Sequence, residues 1–190
     1  MSVMRAPEVP EIWADPDRML TVEDMEDMPD DEFRYELDDG VLIVSPAPPN
    51  RHQLAVSRLQ MILGAACPPE FPVLTGPGVN INRFQHRVPD VAVIRTASFE
   101  EMFQVSPPEV AVEVASPRTS GRKRDVYERF GIRFYWIVEP DPEKPSLTVF
   151  ELCRGRYVQT AQVTGADRLD VVRPFPVTIV PTDLVAVTSG

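Results

Sequence analysis

Apolar and polar positions along the chain settle into short extended runs broken by three helical stretches. "FRYELDDGVLIVSP" (33–46) holds two β-rich runs around Asp39-Gly40, a dipeptide that accepts positive φ, and predicts a hairpin. "RVPDVAVI" (87–94) predicts a short strand, and "RFYWIVEP" predicts another that stops at Pro140. "SLTVFEL" and "GRYVQTAQV" predict a second hairpin across Cys153-Arg154-Gly155-Arg156. Thr21 and Asp24 form a capping-box signature for a short helix over 22–28. Asn50 is placed to cap a helix over 51–66, with Leu54, Ser57, Met61, Ile62 and Ala65 along one face. Thr119 or Ser120 is placed to cap a third helix over 121–130 that ends at Gly131. An extended stretch over 72–82 and a helical turn over 98–104 complete the pattern.

"EVAVEVASP" (109–117) carries the main irregularity. Val110, Val112 and Val114 alternate down one side, and Ala111 and Ala115 lie on the other with Glu113 between them. This run, the following helix and "RFYWIV" predict two parallel strands joined by a right-handed crossover, covered on both faces. A carboxylate in such a strand costs several kcal/mol unless it is paired, neutralised or bound to a cation. The element order predicts an α/β fold with a mixed sheet.

Composition fits an ordinary globular domain: 190 residues, 43% apolar and 25% charged. Residues 1–18 are expected to form a flexible acidic, Pro-rich arm, and 19–190 a single domain. No apolar run reaches the length of a membrane span, and the first residues show no signal-peptide pattern, so a cytoplasmic protein without membrane contact is expected. Cys67 and Cys153 are too few for a zinc site and are expected to be free thiols. The net charge of −10 argues against a nucleic-acid partner only until it is divided. Residues 1–50 carry three arginines against 14 acids, a balance of −11, and the remainder is at +1. Arg118, Arg122, Lys123, Arg124, Arg129 and Arg133 gather in one stretch with only Asp125 and Glu128 among them. That stretch reads either as a solvated helix face or as a set of phosphate contacts.

Glu113 has counterparts. Asp90 opens the apolar run "VAVI", and Glu36 alternates with Phe33, Tyr35 and Leu37. Three acids on three strands are what a hard divalent cation such as Mg²⁺ recruits, and the alanines beside Glu113 would leave room for the ion. Lys123, on the helix after the Glu113 strand, is placed to reach the same centre, with Tyr127 one turn on along the same face.

"PDVAV" followed by a strand glutamate 23 positions after Asp90 resembles the PD-(D/E)xK nuclease superfamily. "RYELDDGVLIVSPAP", "RHQLAVSRL", "VPDVAVI", "VEVASP" and "KRDVYERFGIRFYWIVEP", in that order, are similar to the Uma family of putative restriction endonucleases, over about 21–180. The resemblance implies a restriction-endonuclease-like mixed β-sheet core flanked by helices, with additional β-hairpins. It implies Mg²⁺- or Mn²⁺-dependent hydrolysis of phosphodiester bonds, with DNA as the expected substrate. Asp90 and Glu113 would be the metal ligands, Glu36 an additional acid and Lys123 the catalytic lysine, with His52 and Tyr127 as accessory residues. Arg118, Arg122 and Arg124 would contact phosphates, and a homodimer would suit an enzyme that cuts both strands. The superfamily's usual lysine position, two residues after the glutamate, is Ala115 here. The competing expectation is therefore an inactive nuclease-fold binding module, and a weaker one is hydrolysis of another phosphate ester.

Overall fold

A two-residue turn in the left-handed region sets the register of the first hairpin. The computed structural model describes residues 18–114 and 117–187, and the side chains of all of these except 117–120. The arm expected over 1–18 therefore lies almost wholly outside the described residues. A 3-10 turn, Val22–Asp27, carries the expected capping box of Thr21 and Asp24. β1 (Arg34–Asp38) and β2 (Val41–Ser45) then pair antiparallel, with φ of 52° at Asp39 and 78° at Gly40. Alternation along β1 sends Tyr35 and Leu37 into a small core with Leu20 and Met25. Arg34, Glu36 and Asp38 are left for the opposite face.

α1 (Asn50–Ala66) includes Asn50 as its first residue, and no side chain caps it. Its buried face is Ala55, Leu59 and Leu63, while Ser57, Met61 and Ala65 of the expected face are exposed. Apolar residues nearly encircle this helix, so its own periodicity does not choose a face. Contact with the valines of the main sheet does.

β3 (Val73–Thr75) and β4 (Val79–Asn82) occupy the expected extended stretch. The single strand expected over 87–94 is two strands, β5 (Gln85–Arg87) and β6 (Val91–Val93), in different sheets. Pro89 offers no N–H to a ladder, so the chain leaves one sheet and enters the other through Val88-Pro89-Asp90. Only Thr96–Ser98 of the next segment is helical.

β7 (Val110–Val114), α2 (Pro117–Phe130) and β8 (Phe134–Glu139) form the expected crossover, with β7 and β8 parallel and Glu113 opposite Ile137. α2 begins four residues before the expected 121, on a proline whose fixed φ suits a first helical position. It ends at Gly131, φ 91°. β9 (Ser146–Cys153) and β10 (Arg156–Thr164) make the second hairpin, turned at Arg154 and Gly155 with φ of 52° and 78°. A small hairpin of β11 (Leu169–Val171) and β12 (Val177–Ile179), then α3 (Pro181–Val185), were not signalled by the pattern.

The main sheet has the order β10-β9-β8-β7-β6-β3, and a smaller one the order β2-β1-β5-β4. On one face of the main sheet Val110, Val112, Val114, Trp136 and Val138 pack with α1 and α3. On the other, Ala111, Tyr135, Ile137 and Phe150 pack with Tyr127 of α2. Both cysteines are free, Cys67 half-buried and Cys153 exposed. No helix among the described residues is long and apolar enough to cross a membrane.

Candidate active site

Glu113 lies on the α2 side of β7, 3% exposed. Ala111 packs in one cluster with Tyr127 of α2, and Ala115, the other alanine expected to leave room for an ion, lies outside the described residues. The Tyr127 hydroxyl donates to Glu113 Oε1 at 2.9 Å. One turn earlier on α2, Lys123 Nζ stands 3.2 and 3.1 Å from the two Glu113 oxygens and 2.9 Å from Glu36 Oε1. Glu36 Oε1 also accepts the Val88 N–H at 2.7 Å, which ties β1 to the link between the sheets. One ammonium thus joins carboxylates from two sheets. The chain has 19 lysines and arginines, of which only Lys123 and Lys144 are lysines. The compact ammonium stands where a forked guanidinium would not fit a single point between two acids.

Asp90 is placed by the same link. Its Oδ1 accepts from Arg34 Nη1 at 2.8 Å, and its Oδ2 accepts the Val114 N–H at 2.7 Å. His52 Nε2, in the first turn of α1, lies 3.1 Å from that second oxygen. An ionised carboxylate only accepts, so Nε2 is the donor in this contact. The His52 Nδ1 is buried without a partner.

Electrostatics separates the acids. Burial by itself would lift Asp90, but the hydrogen bonds and charges of His52 and Arg34 outweigh it and hold Asp90 below the usual carboxylate range. Glu113 moves the other way. Burial pushes it up, Asp90 and Glu36 add repulsion, and Lys123 and the Tyr127 hydrogen bond only partly offset this, leaving it raised to about 7. Burial also opposes the charge on Lys123, but Glu113 and Glu36 more than restore it, so its pKa is raised. Burial, then the adjacent Glu113 charge, holds the Tyr127 phenol in its neutral form.

Among the described residues, no three His, Cys, Asp or Glu side chains already stand as a ready-spaced metal cage. The donor set nevertheless fits a hard divalent cation in kind. Among the described residues three carboxylates from three segments face Lys123, Arg34 and His52, and the three acids offer only oxygen donors, the kind a hard cation takes.

Glu36, Asp90, Glu113, Lys123, Tyr127 and His52 are therefore brought into one linked constellation. Arg122 and Arg124 are not. Arg122 pairs with Asp38 at 2.8 Å with its side chain 82% exposed, and Arg124 lies over the Phe150 ring. The side chain of Arg118 lies outside the described residues. Sequence reasoning missed Arg34. Its one available signal was its position two residues before Glu36, on the same face of a strand. Arg34 and Asp90 border a cleft of about 390 Å³ that His52, Ser57, Gln60 and Thr75 also line.

Residues 22–185 match the profile of the Uma2 family, described as putative restriction endonuclease. No curated protein matches the chain. Among solved structures, the chain is similar to the crystal structure of a putative nuclease belonging to DUF820 from Anabaena variabilis. The two are 17% identical with a TM-score of 0.67, over 87% of this chain and 97% of that one. At this identity the likeness is one of fold: a mixed α/β arrangement of sheets with flanking helices.

Proposed function

The chain belongs to the Uma2 family of putative restriction endonucleases, and on that premise we propose that it is a metal-dependent endonuclease hydrolysing phosphodiester bonds in DNA. The observation that carries this reading is the ammonium of Lys123 bound between Glu113 and Glu36, next to the separately held Asp90. Asp90 and Glu113 would hold Mg²⁺ or Mn²⁺, with Glu36 as the further acid. Bound there, such an ion polarises a phosphate and lowers the pKa of water. Lys123 supplies fixed positive charge where negative charge develops on the phosphate. It reaches the centre from α2, in place of a lysine at Ala115. Tyr127 orients Glu113, and the Val114 N–H with His52 orients Asp90. Arg122 and Arg124, at the surface of α2, remain candidates for longer-range phosphate attraction.

One observation favours the binding-module reading instead. Both oxygens of Glu113 are already engaged by Lys123, and one of them by Tyr127 too, so an ion must compete with them. Calorimetry with Mn²⁺ decides between the two. Binding to the parent that is lost in Asp90→Ala and in Glu113→Ala supports the enzyme. A parent that binds no Mn²⁺ removes it.

A further inference from the structure

We propose that the cleft beside Asp90 is a subsite for one unpaired nucleotide next to the phosphate that is cut, so that single-stranded or locally opened DNA is the preferred substrate. The inference rests on the nuclease reading and deepens it. Its first support is chemical. Among the described residues of the cleft wall, Arg34 is the one permanent cation; its side chain is 30% exposed and spends Nη1 on Asp90. The rest of its donor fork is left for an anion, the arrangement that suits a phosphate. Around it stand the neutral hydrogen-bonding groups of Gln53, Ser57, Gln60 and Thr75, with no carboxylate among the described lining residues other than the paired Asp90. Amides and hydroxyls of this kind meet the edges of bases and the oxygens of sugars.

The second support is size and position. A volume of about 390 Å³ lies at the low end of the roughly 300–1,000 Å³ typical of small-ligand pockets. That admits one nucleotide and not a base pair in its stack. Asp90 and His52 belong both to the cleft and to the constellation around Glu113, so a phosphate held by Arg34 lies at the candidate centre. Of the α2 arginines whose side chains are described, Arg122, Arg124 and Arg129, none lines the cleft. A base in intact duplex must be extruded to enter, at an unstacking cost of a few kcal/mol that a single strand largely avoids.

The test is binding of a fluorescein-labelled 12-nucleotide single strand and of its blunt duplex, read by anisotropy in Ca²⁺. The parent is expected to bind the single strand at least about tenfold more tightly, the discrimination that the extrusion cost implies. Ser57 is exposed on α1, so Ser57→Phe fills the cleft without entering the core, and is expected to abolish that preference. Gln60→Trp serves the same purpose if Ser57→Phe unfolds. A duplex bound as tightly as the single strand, or a folded Ser57→Phe and Gln60→Trp that bind single strands like the parent, overturns the subsite. Cleavage in Mg²⁺ is measured separately. DNA cut by a protein with no single-strand preference sinks the subsite alone, and selective binding without cleavage sinks the nuclease reading alone.

Discussion

Replacing Glu113 by glutamine in metal-free protein should change how stability depends on pH more than it changes stability itself. Glu113 is raised from 4.5 to about 7 in the folded protein because burial and the charges of Asp90 and Glu36 exceed what Lys123 and Tyr127 return. A carboxyl raised on folding contributes stability that is complete below its unfolded pKa and is lost as pH rises through its folded one. At about 1.4 kcal/mol per pKa unit the full loss is about 3 kcal/mol, most of it falling between pH 5 and pH 8. Lys123 is raised and Asp90 lowered, so both stay charged across that window, and comparison with Glu113→Gln isolates the Glu113 carboxyl from titrating groups that the two proteins share. Glutamine keeps an acceptor for Tyr127 but turns an amide toward Lys123, a cost that does not vary with pH. Urea unfolding in EDTA at pH 5, 6, 7 and 8 should therefore show the parent losing about 2–3 kcal/mol relative to Glu113→Gln across the series. A constant difference between the two proteins would refute the reasoning, and with it the crowding of acids around Glu113.

Tyr127→Phe removes the 2.9 Å hydrogen bond to Glu113 and should cost about 1–2 kcal/mol. Because that bond lowers the Glu113 pKa, the pH-dependent loss should extend to higher pH than in the parent, as the same melts would show. Ala111→Leu places a branched side chain where the Tyr127 ring packs, and should lower stability by about 1–3 kcal/mol in urea. Asp90→Asn weakens the contacts to Arg34 and His52 and should cost about 2 kcal/mol at pH 7. Asp90 is lowered on folding, so its contribution disappears in acid, and the variant should approach the parent as pH falls through that lowered pKa.

Local chemistry made much of the fold legible. Asp39-Gly40 and the Arg154-Gly155 turn announced their hairpins because each turn needs positive φ and is flanked by β-prone runs. The β7–α2–β8 crossover was legible because two apolar strands on either side of a helix have few other ways to be covered. Features decided by tertiary contact were missed. Pro89 was visible, but not that it separates two sheets and thereby turns Asp90 toward Val114. The buried face of α1 was misplaced because apolar residues surround that helix. The acids could be nominated because charge inside β-prone and apolar runs is conspicuous, and Lys123 because its helix follows the Glu113 strand, whereas Arg34 at a strand end looks like any surface residue. The contact of Lys123 with both Glu36 and Glu113 depends on where α2 begins, and its expected start was four residues late.

Cleavage of plasmid and single-stranded DNA in Mg²⁺ by the parent and by Lys123→Met tests the central claim most directly. Lys123 joins Glu113 to Glu36, and removing one preorganised charge of this kind typically costs about 10²–10³ in rate. The account predicts metal-dependent cutting by the parent and a loss of that size in Lys123→Met, while circular dichroism shows the variant folded. Cutting by a folded Lys123→Met at the parental rate would contradict it.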